Sequence, residues 1–214
     1  MGADNSMDKE KQTLTKWSAE GIKWLVLFVK TYEESRVASK LKAVLNAEKY
    51  HVFVPTTDYL HRTQGKSTLR KIPCFKGYVF IATTESAKDC TKMVEPLLIN
   101  ESAIFRFISY DQTHNSIALS DTDKIKLNRI FDEDFHRPAI RAEVDVDGRV
   151  LLDEDALEQN GGKVIKVTKG KKSVVLEIDL LGKPTTYEVA LELLSAQDVE
   201  KLGTKVVKKT GKIT

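Results

Sequence analysis

Cysteine is scarce in this chain. Its 214 residues include two, Cys74 and Cys90, which excludes a disulfide scaffold and any four-cysteine zinc site. No apolar run approaches roughly 18 residues, so no segment is a candidate membrane-spanning helix. The start, MGADNSMDKEKQ, lacks the apolar core of a signal peptide. Residues 1–20 read instead as a tag or disordered leader, with Met7 a candidate first residue, and a cytoplasmic location is expected. The four histidines, His51, His61, His114 and His136, are isolated, with neither H-E-x-x-H nor paired ligand spacing. Neither a G-x-x-x-x-G-K-[ST] phosphate loop nor G-x-G-x-x-G occurs. Cys74 follows Pro73 with no local histidine, which suits a packed thiol. Asp132, Glu133 and Asp134 are adjacent and point in different directions, so they suit solvent better than a metal. These absences argue against an enzyme, and imply no cofactor, no metal and no membrane partner. A monomeric binding protein is expected.

What is present is charge in blocks. Charged residues make up 30% and hydrophobic ones 41%, a folded composition rather than a disordered one. Lys and Arg number 34 against 31 acids, a balance of +3, too small by itself to announce a polyanion partner. Yet residues 61–71, HRTQGKSTLRK, hold Arg62, Lys66, Arg70 and Lys71 with no acid between them. Residues 163–172, KVIKVTKGKK, hold Lys163, Lys166, Lys169, Lys171 and Lys172, again with none. The tail after Glu200 carries Lys201, Lys205, Lys208, Lys209 and Lys212 and no acid.

Patterning predicts an α/β unit first. IKWLVLFVK (22–30) is short, apolar and rich in β-branched and aromatic residues, as in a buried strand. Tyr32–Ala47 has no Gly or Pro and places Val37, Leu41, Val44 and Leu45 near one face, which predicts a helix. HVFVPTT (51–57) is a strand stopped or bent at Pro55. A polar hairpin around Gly65 follows, then a strand within IPCFKGYVFIATT (72–84). Residues 86–98 are weakly helical and end near Pro96, and Phe105–Ser109 is an edge strand. SDTDKIKLNRIF (120–131) opens on a Ser/Asp cap and predicts a short helix. From about 132 the pattern fades, and residues 133–147 read as a linker. Beyond it, four Val/Ile/Leu-rich segments divided by Gly161–Gly162, Gly170–Lys171 and Gly182–Pro184 predict a small β-barrel over 148–196. The expected fold class is therefore α+β, an α/β sandwich over 21–132 followed by a barrel, with a basic tail over 197–214.

Trp24–Phe28, Phe53–Pro55 and above all PCFKGYVFI (Pro73–Ile81) resemble the NusG family of transcription elongation factors. The family usually has proline where this chain has Lys76. Gly148, Gly162 and the turn Leu181–Gly182–Lys183 are similar to that family's SH3-like KOW barrel, although Asp153–Ala156 replaces the usual Gly-Pro entry. The resemblance spans about 22–195 and implies an NGN-like sandwich followed by the barrel. That departure and the basic hairpin point to a specialised paralog of the LoaP or RfaH type.

The resemblance implies a partner for the aromatic residues. Tyr78 and Phe80 project to one side of a strand, and with Phe28, and more ambiguously Phe75, they match an apolar groove that packs on the clamp helices of RNA polymerase. The same residues also suit ordinary sheet core. The cations of 61–71, with Lys30, suit contact with non-template DNA, or a solvated loop. Lys163 and Lys169 share one side of a β-hairpin, with Lys166 on the other before any bulge and Lys171–Lys172 on the return strand. They suit an RNA hairpin held by its phosphates, or a solubilised edge. The function so implied is an elongation or antitermination factor recruited to selected operons by an RNA or DNA element. The alternative is a general factor whose barrel binds a ribosomal protein or a termination factor.

Overall fold

Lys23–Val29 forms β1, in which Trp24, Leu25, Val26 and Leu27 are all buried. A strand covered on both faces needs a continuous apolar run rather than alternation. The computed structural model describes residues 16–64, 66–109, 117–145 and 147–194. The first 15 residues, Gly65 and the basic tail lie outside them.

In the N-terminal part, β1 is followed by α1 (Glu34–Val44), β2 (Tyr50–Phe53), β3 (Thr56–Thr63), β4 (Lys66–Pro73), β5 (Tyr78–Thr83), α2 (Ala87–Asn100), β6 (Ile104–Phe107) and α3 (Asp121–Ile130). Four of these strands form one sheet in the order β2-β5-β1-β6. Leu25, Leu27, Val29, Val79 and Ile81 point to one face and pack on Val37, Ala38 and Leu41 of α1 and Cys90 and Val94 of α2. Helix α1 is shorter than its apolar spacing suggests. Tyr32 has φ +72° and Leu45 is extended, so neither can be helical, and Val44 is exposed. Helix α2 runs past Pro96 to Asn100. The ring removes one backbone bond, but Val94 and Leu97 still pack on the core. At α3 the expected cap is present: Ser120 Oγ accepts from the Asp123 N–H at 3.0 Å.

Pro55 separates β2 from β3, and β3 leaves the main sheet to pair with β4 from Thr56↔Pro73 to Thr63↔Lys66. Residues 133–147, expected as a linker, carry two strands. β7 (His136–Arg137) adds to β3 in parallel, and β8 (Ile140–Val144) joins the C-terminal sheet. Both pair with strands far away in sequence, which local patterning cannot reveal.

The C-terminal part continues with β9 (Val150–Leu151), α4 (Glu154–Asn160), β10 (Lys163–Thr168), β11 (Ser173–Leu180) and β12 (Lys183–Leu194). Its sheet runs β10-β11-β12-β8-β9 and is nearly closed, a mixed α+β architecture consistent with an SH3-like barrel. Strand β12 pairs with β11 as far as Ala190 and then, from Leu191, with β8. Asp153 caps α4 by accepting from the Ala156 N–H at 2.9 Å, so the Asp153–Ala156 departure is the start of a helix. Gly162 has φ +115°, and a Cβ there would lie 2.5 Å from the Glu177 carbonyl oxygen, which only glycine avoids.

One apolar core joins the two parts. Trp24, Phe53 and Phe80 continue through Phe131 and Phe135 into Leu176, Leu180, Tyr187 and Val189.

Candidate functional site

Aromatic residues crowd the face of the N-terminal sheet opposite α1 and α2, in a gradient from buried to exposed. Trp24 packs edge-on against Phe53 at 5.2 Å and Phe135 at 5.4 Å between ring centroids, while Phe53 stacks on Phe135 at 3.8 Å. Phe80 shares the face of Tyr78, as strand alternation requires, but is fully buried against Phe53 at 5.4 Å. Phe75 is buried too, 5.8 Å from the Tyr187 ring of β12. Phe28 and Tyr78 reach the edge, 6.2 Å apart, and Phe28 meets Phe105 at 5.3 Å. Phe28 is 37% exposed and Phe105 54%. Thus Phe28 and Tyr78 line a surface, whereas Phe80 and Phe75 are the core beneath it.

The turn carrying these residues is clamped. Gly77 has φ +80°, and a Cβ would sit 3.1 Å from the Val29 carbonyl oxygen and 3.3 Å from the Phe28 ring. Its N–H donates to Oε1 of the buried Glu34 at 2.6 Å, and its carbonyl accepts from the Val29 N–H at 2.8 Å. The start of α1 therefore fixes the turn between Phe75 and Tyr78, and with it the cluster's geometry. A cleft of about 920 Å³ opens in front, lined by Phe28, Tyr59, Tyr78 and Arg106 on one side and by Leu181 and Tyr187 on the other. The Tyr187 hydroxyl donates to the Gly161 carbonyl. Burial pushes that phenol up, against a smaller opposing pull from Arg137. Burial likewise pushes the Cys74 thiol well above its ordinary range, so it stays a neutral packed group.

Sequence reasoning missed Phe105, Arg106 and Tyr59. The available signal was the pairing of aromatic-bearing strands: Phe28 lies opposite Tyr78 on β5 and opposite Arg106 on β6, beside Phe105.

The basic residues divide into three groups. Opposed residues of an antiparallel pair share a face, so in the β3–β4 hairpin Lys71 (opposite Asp58) and Arg62 (opposite Ser67) stand on one side. Arg70 (opposite Tyr59) and Lys66 (opposite Thr63) stand on the other. In β10 the pairing shifts between Val164 and Lys166, leaving Ile165 as an inserted residue. The bulge brings Lys163 and Lys166 to one exposed side with Val164 and Val167 on the inner one. The order expected without a bulge placed them on opposite sides. Lys169–Lys171 forms a one-turn 3-10 helix and Lys172 has φ +50°, so Lys171 and Lys172 belong to the turn, and the return strand starts at Ser173. Lys169 Nζ donates to the Gly148 carbonyl. Lys30 is exposed beside Phe28, its backbone N–H bonded to Ala103. Among the described residues no cluster of three or more His, Cys, Asp or Glu could hold a metal ion. Nor is any of their helices long and apolar enough to cross a membrane.

Comparison with known proteins places the aromatic part of the molecule. Residues 22–127 match the family model described as "Transcription termination factor nusG". No curated protein matches the chain significantly. A structure of Thermotoga maritima NusG, described for its domain interaction, is 12% identical over 79% of this chain and 93% of that one, with a TM-score of 0.42. A crystal structure of an MjSpt4:Spt5 complex is 14% identical over 79% of this chain and 99% of the other, with a TM-score of 0.28. The matched segment, residues 22–127, carries Phe28, Tyr78, Phe105 and the Gly77 turn, and it is this part of the chain that is similar to the NusG family of transcription factors.

Proposed function

We propose that this protein is a non-enzymatic transcription elongation and antitermination factor that binds RNA polymerase through the Phe28–Tyr78–Phe105 surface. The observation that carries this reading is an exposed Phe28 ring touching the exposed Phe105 and the half-buried Tyr78, beside a turn fixed by Glu34 and Gly77. Large aromatics gain most when a partner covers them, and a groove of this kind suits an amphipathic helical hairpin such as the polymerase clamp helices. Phe75 and Phe80 support the surface from below. Held on the polymerase, the domain suppresses pausing in proportion to its preference for the closed, active state over the paused one.

The cations of the β3–β4 hairpin and the β10–β11 turn form no ion pair with another described residue, Arg62, Lys71, Lys163 and Lys172 among them, which supports recruitment by a nucleic-acid element. On this reading the protein is a specialised member of its family acting at selected operons, with an RNA hairpin or the non-template DNA strand as the signal. A general factor, with a barrel that binds a ribosomal protein or a termination factor, would act equally on templates lacking any such element.

Titration of the whole chain onto core RNA polymerase tests the polymerase surface. Tyr78→Ala is expected to weaken binding by roughly thirtyfold, equivalent to about 2 kcal/mol, with unchanged circular dichroism. Undiminished binding by a folded variant would overturn the assignment.

A further inference from the structure

On the side of the β3–β4 hairpin away from the aromatic cluster lies a second cleft, of about 650 Å³. Leu60, Ser67 and Leu69 of the hairpin form one wall, and Arg141 and Glu192 of the C-terminal sheet, with Lys172 of the β10–β11 turn, form the other. Lys71 and Arg62 stand on this same hairpin face, opposite Asp58 and Ser67, which both line the cleft. The nearby acids are already engaged. Asp58 lies 3.3 Å from His136 Nε2 and accepts from the Ala139 N–H at 3.0 Å, while Glu192 accepts from Arg141 Nε at 3.1 Å. Arg62, Lys71 and Lys172 remain without an ion pair to a described residue, Lys172 lining the cleft and the other two on the hairpin face that adjoins it.

We infer that this cleft holds a single strand of RNA by its phosphates, so that Arg62 and Lys71 of the hairpin and Lys172 of the barrel act as one site. The inference rests on the reading of the protein as a transcription factor that meets nucleic acid. Lys172 at the opening, with Arg62 and Lys71 on the adjoining hairpin face, suits a polyanion, and the volume lies within the range of roughly 300–1,000 Å³ typical of ligand clefts, room for a short stretch of strand and not for a duplex. Leu69 is 57% exposed, and with Leu60, Leu191 and Leu193 it gives the bases an apolar wall. Glu192 distinguishes RNA from DNA. A carboxylate among phosphate-binding groups repels phosphate but accepts a hydrogen bond from a 2′-hydroxyl, which DNA lacks.

The test is fluorescence anisotropy of the whole protein with a labelled oligouridine of roughly 12 nucleotides, repeated over a salt series. Three phosphate contacts predict a slope of log affinity against log salt of about −2. Lys71→Ala on the hairpin and Lys172→Ala on the barrel turn are each expected to weaken binding about fivefold and to flatten the slope by about 0.7. The matching deoxyuridine oligomer should bind more weakly, and Glu192→Ala, which leaves no acceptor for the 2′-hydroxyl, should remove that difference. Loss on changing Lys172 alone, with Lys71→Ala silent, would overturn the single-site inference. Equal affinity for the deoxy strand would overturn the choice of RNA. Polymerase binding by the same preparations separates the two levels. Intact polymerase binding without oligouridine binding refutes the cleft alone, whereas oligouridine binding without polymerase binding keeps the cleft and refutes the function proposed above.

Discussion

On the helix side of the N-terminal sheet, Leu25, Leu27, Val29, Val79 and Ile81 are closed off by α1 and α2, and all five are buried. On the other side the same strands carry Trp24, Phe28, Phe53, Tyr78 and Phe80, and cover is graded. Phe131, Phe135 and the C-terminal sheet seal Trp24, Phe53 and Phe80, while Phe28 and Tyr78 remain at the open edge. Aliphatic side chains fill a face that helices close completely. Rings at an edge leave area to be gained from a partner, and they stack at defined angles when it arrives. The comparison separates stability from recognition on one sheet, and substitutions can break it in order of expected size.

Phe80→Ala empties the sealed end of the aromatic face. It should cost about 3–5 kcal/mol of stability, visible as a lower midpoint in urea unfolding. A loss below about 1 kcal/mol would show that the face is not sealed. Gly77→Ala attacks the join between the two regions. The left-handed backbone and the 3.1 Å approach to Val29 predict a loss of about 1–3 kcal/mol, together with weaker polymerase binding as the turn shifts Tyr78. At the open edge, Phe28→Ala should change unfolding by less than about 1 kcal/mol while weakening polymerase binding by tenfold or more, to be read as about 1.4 kcal/mol.

The smallest effect concerns the exposed charges that fasten α1 to the turn before β6. Glu101 accepts from Arg36 at 2.8 Å and also from Lys40. These partners, Arg36 foremost, hold its carboxyl down to about 2. A depressed carboxyl contributes stability above its ordinary pKa and loses it as pH falls through the folded value. The contribution should therefore fade between about pH 4.5 and pH 2 and be absent in Glu101→Gln. Parallel melting curves of the two proteins across that interval would contradict it.

Much of the fold was legible because its signals are local. The buried run of β1, the break at Pro55 and the Ser120 cap each depend on residues within a few positions of one another. Strand β8 was not, because IRAEV follows Pro138 and a block of acids and becomes a strand only by lying parallel to β12, some fifty residues further on. Helix α4 is a single short element whose cap, Asp153, stood out in the sequence only as a departure from the usual Gly-Pro entry. The site was half legible. Alternation put Tyr78 and Phe80 on one face, but which of them reaches the surface is decided by Phe53, Phe131 and Phe135 arriving from elsewhere. The bulge at Ile165 likewise left no mark in the KVIKVT pattern, and it alone sets Lys166 on the same side as Lys163.

The central claim is that the open aromatic edge acts on the polymerase, and the most direct measurement is dwell time at a defined pause in single-round transcription, with wild-type protein and with the Phe28→Ala, Tyr78→Ala double variant. Wild-type protein should shorten the dwell, and the folded double variant should leave it as it is without any factor. Equal shortening by the two proteins would contradict the account.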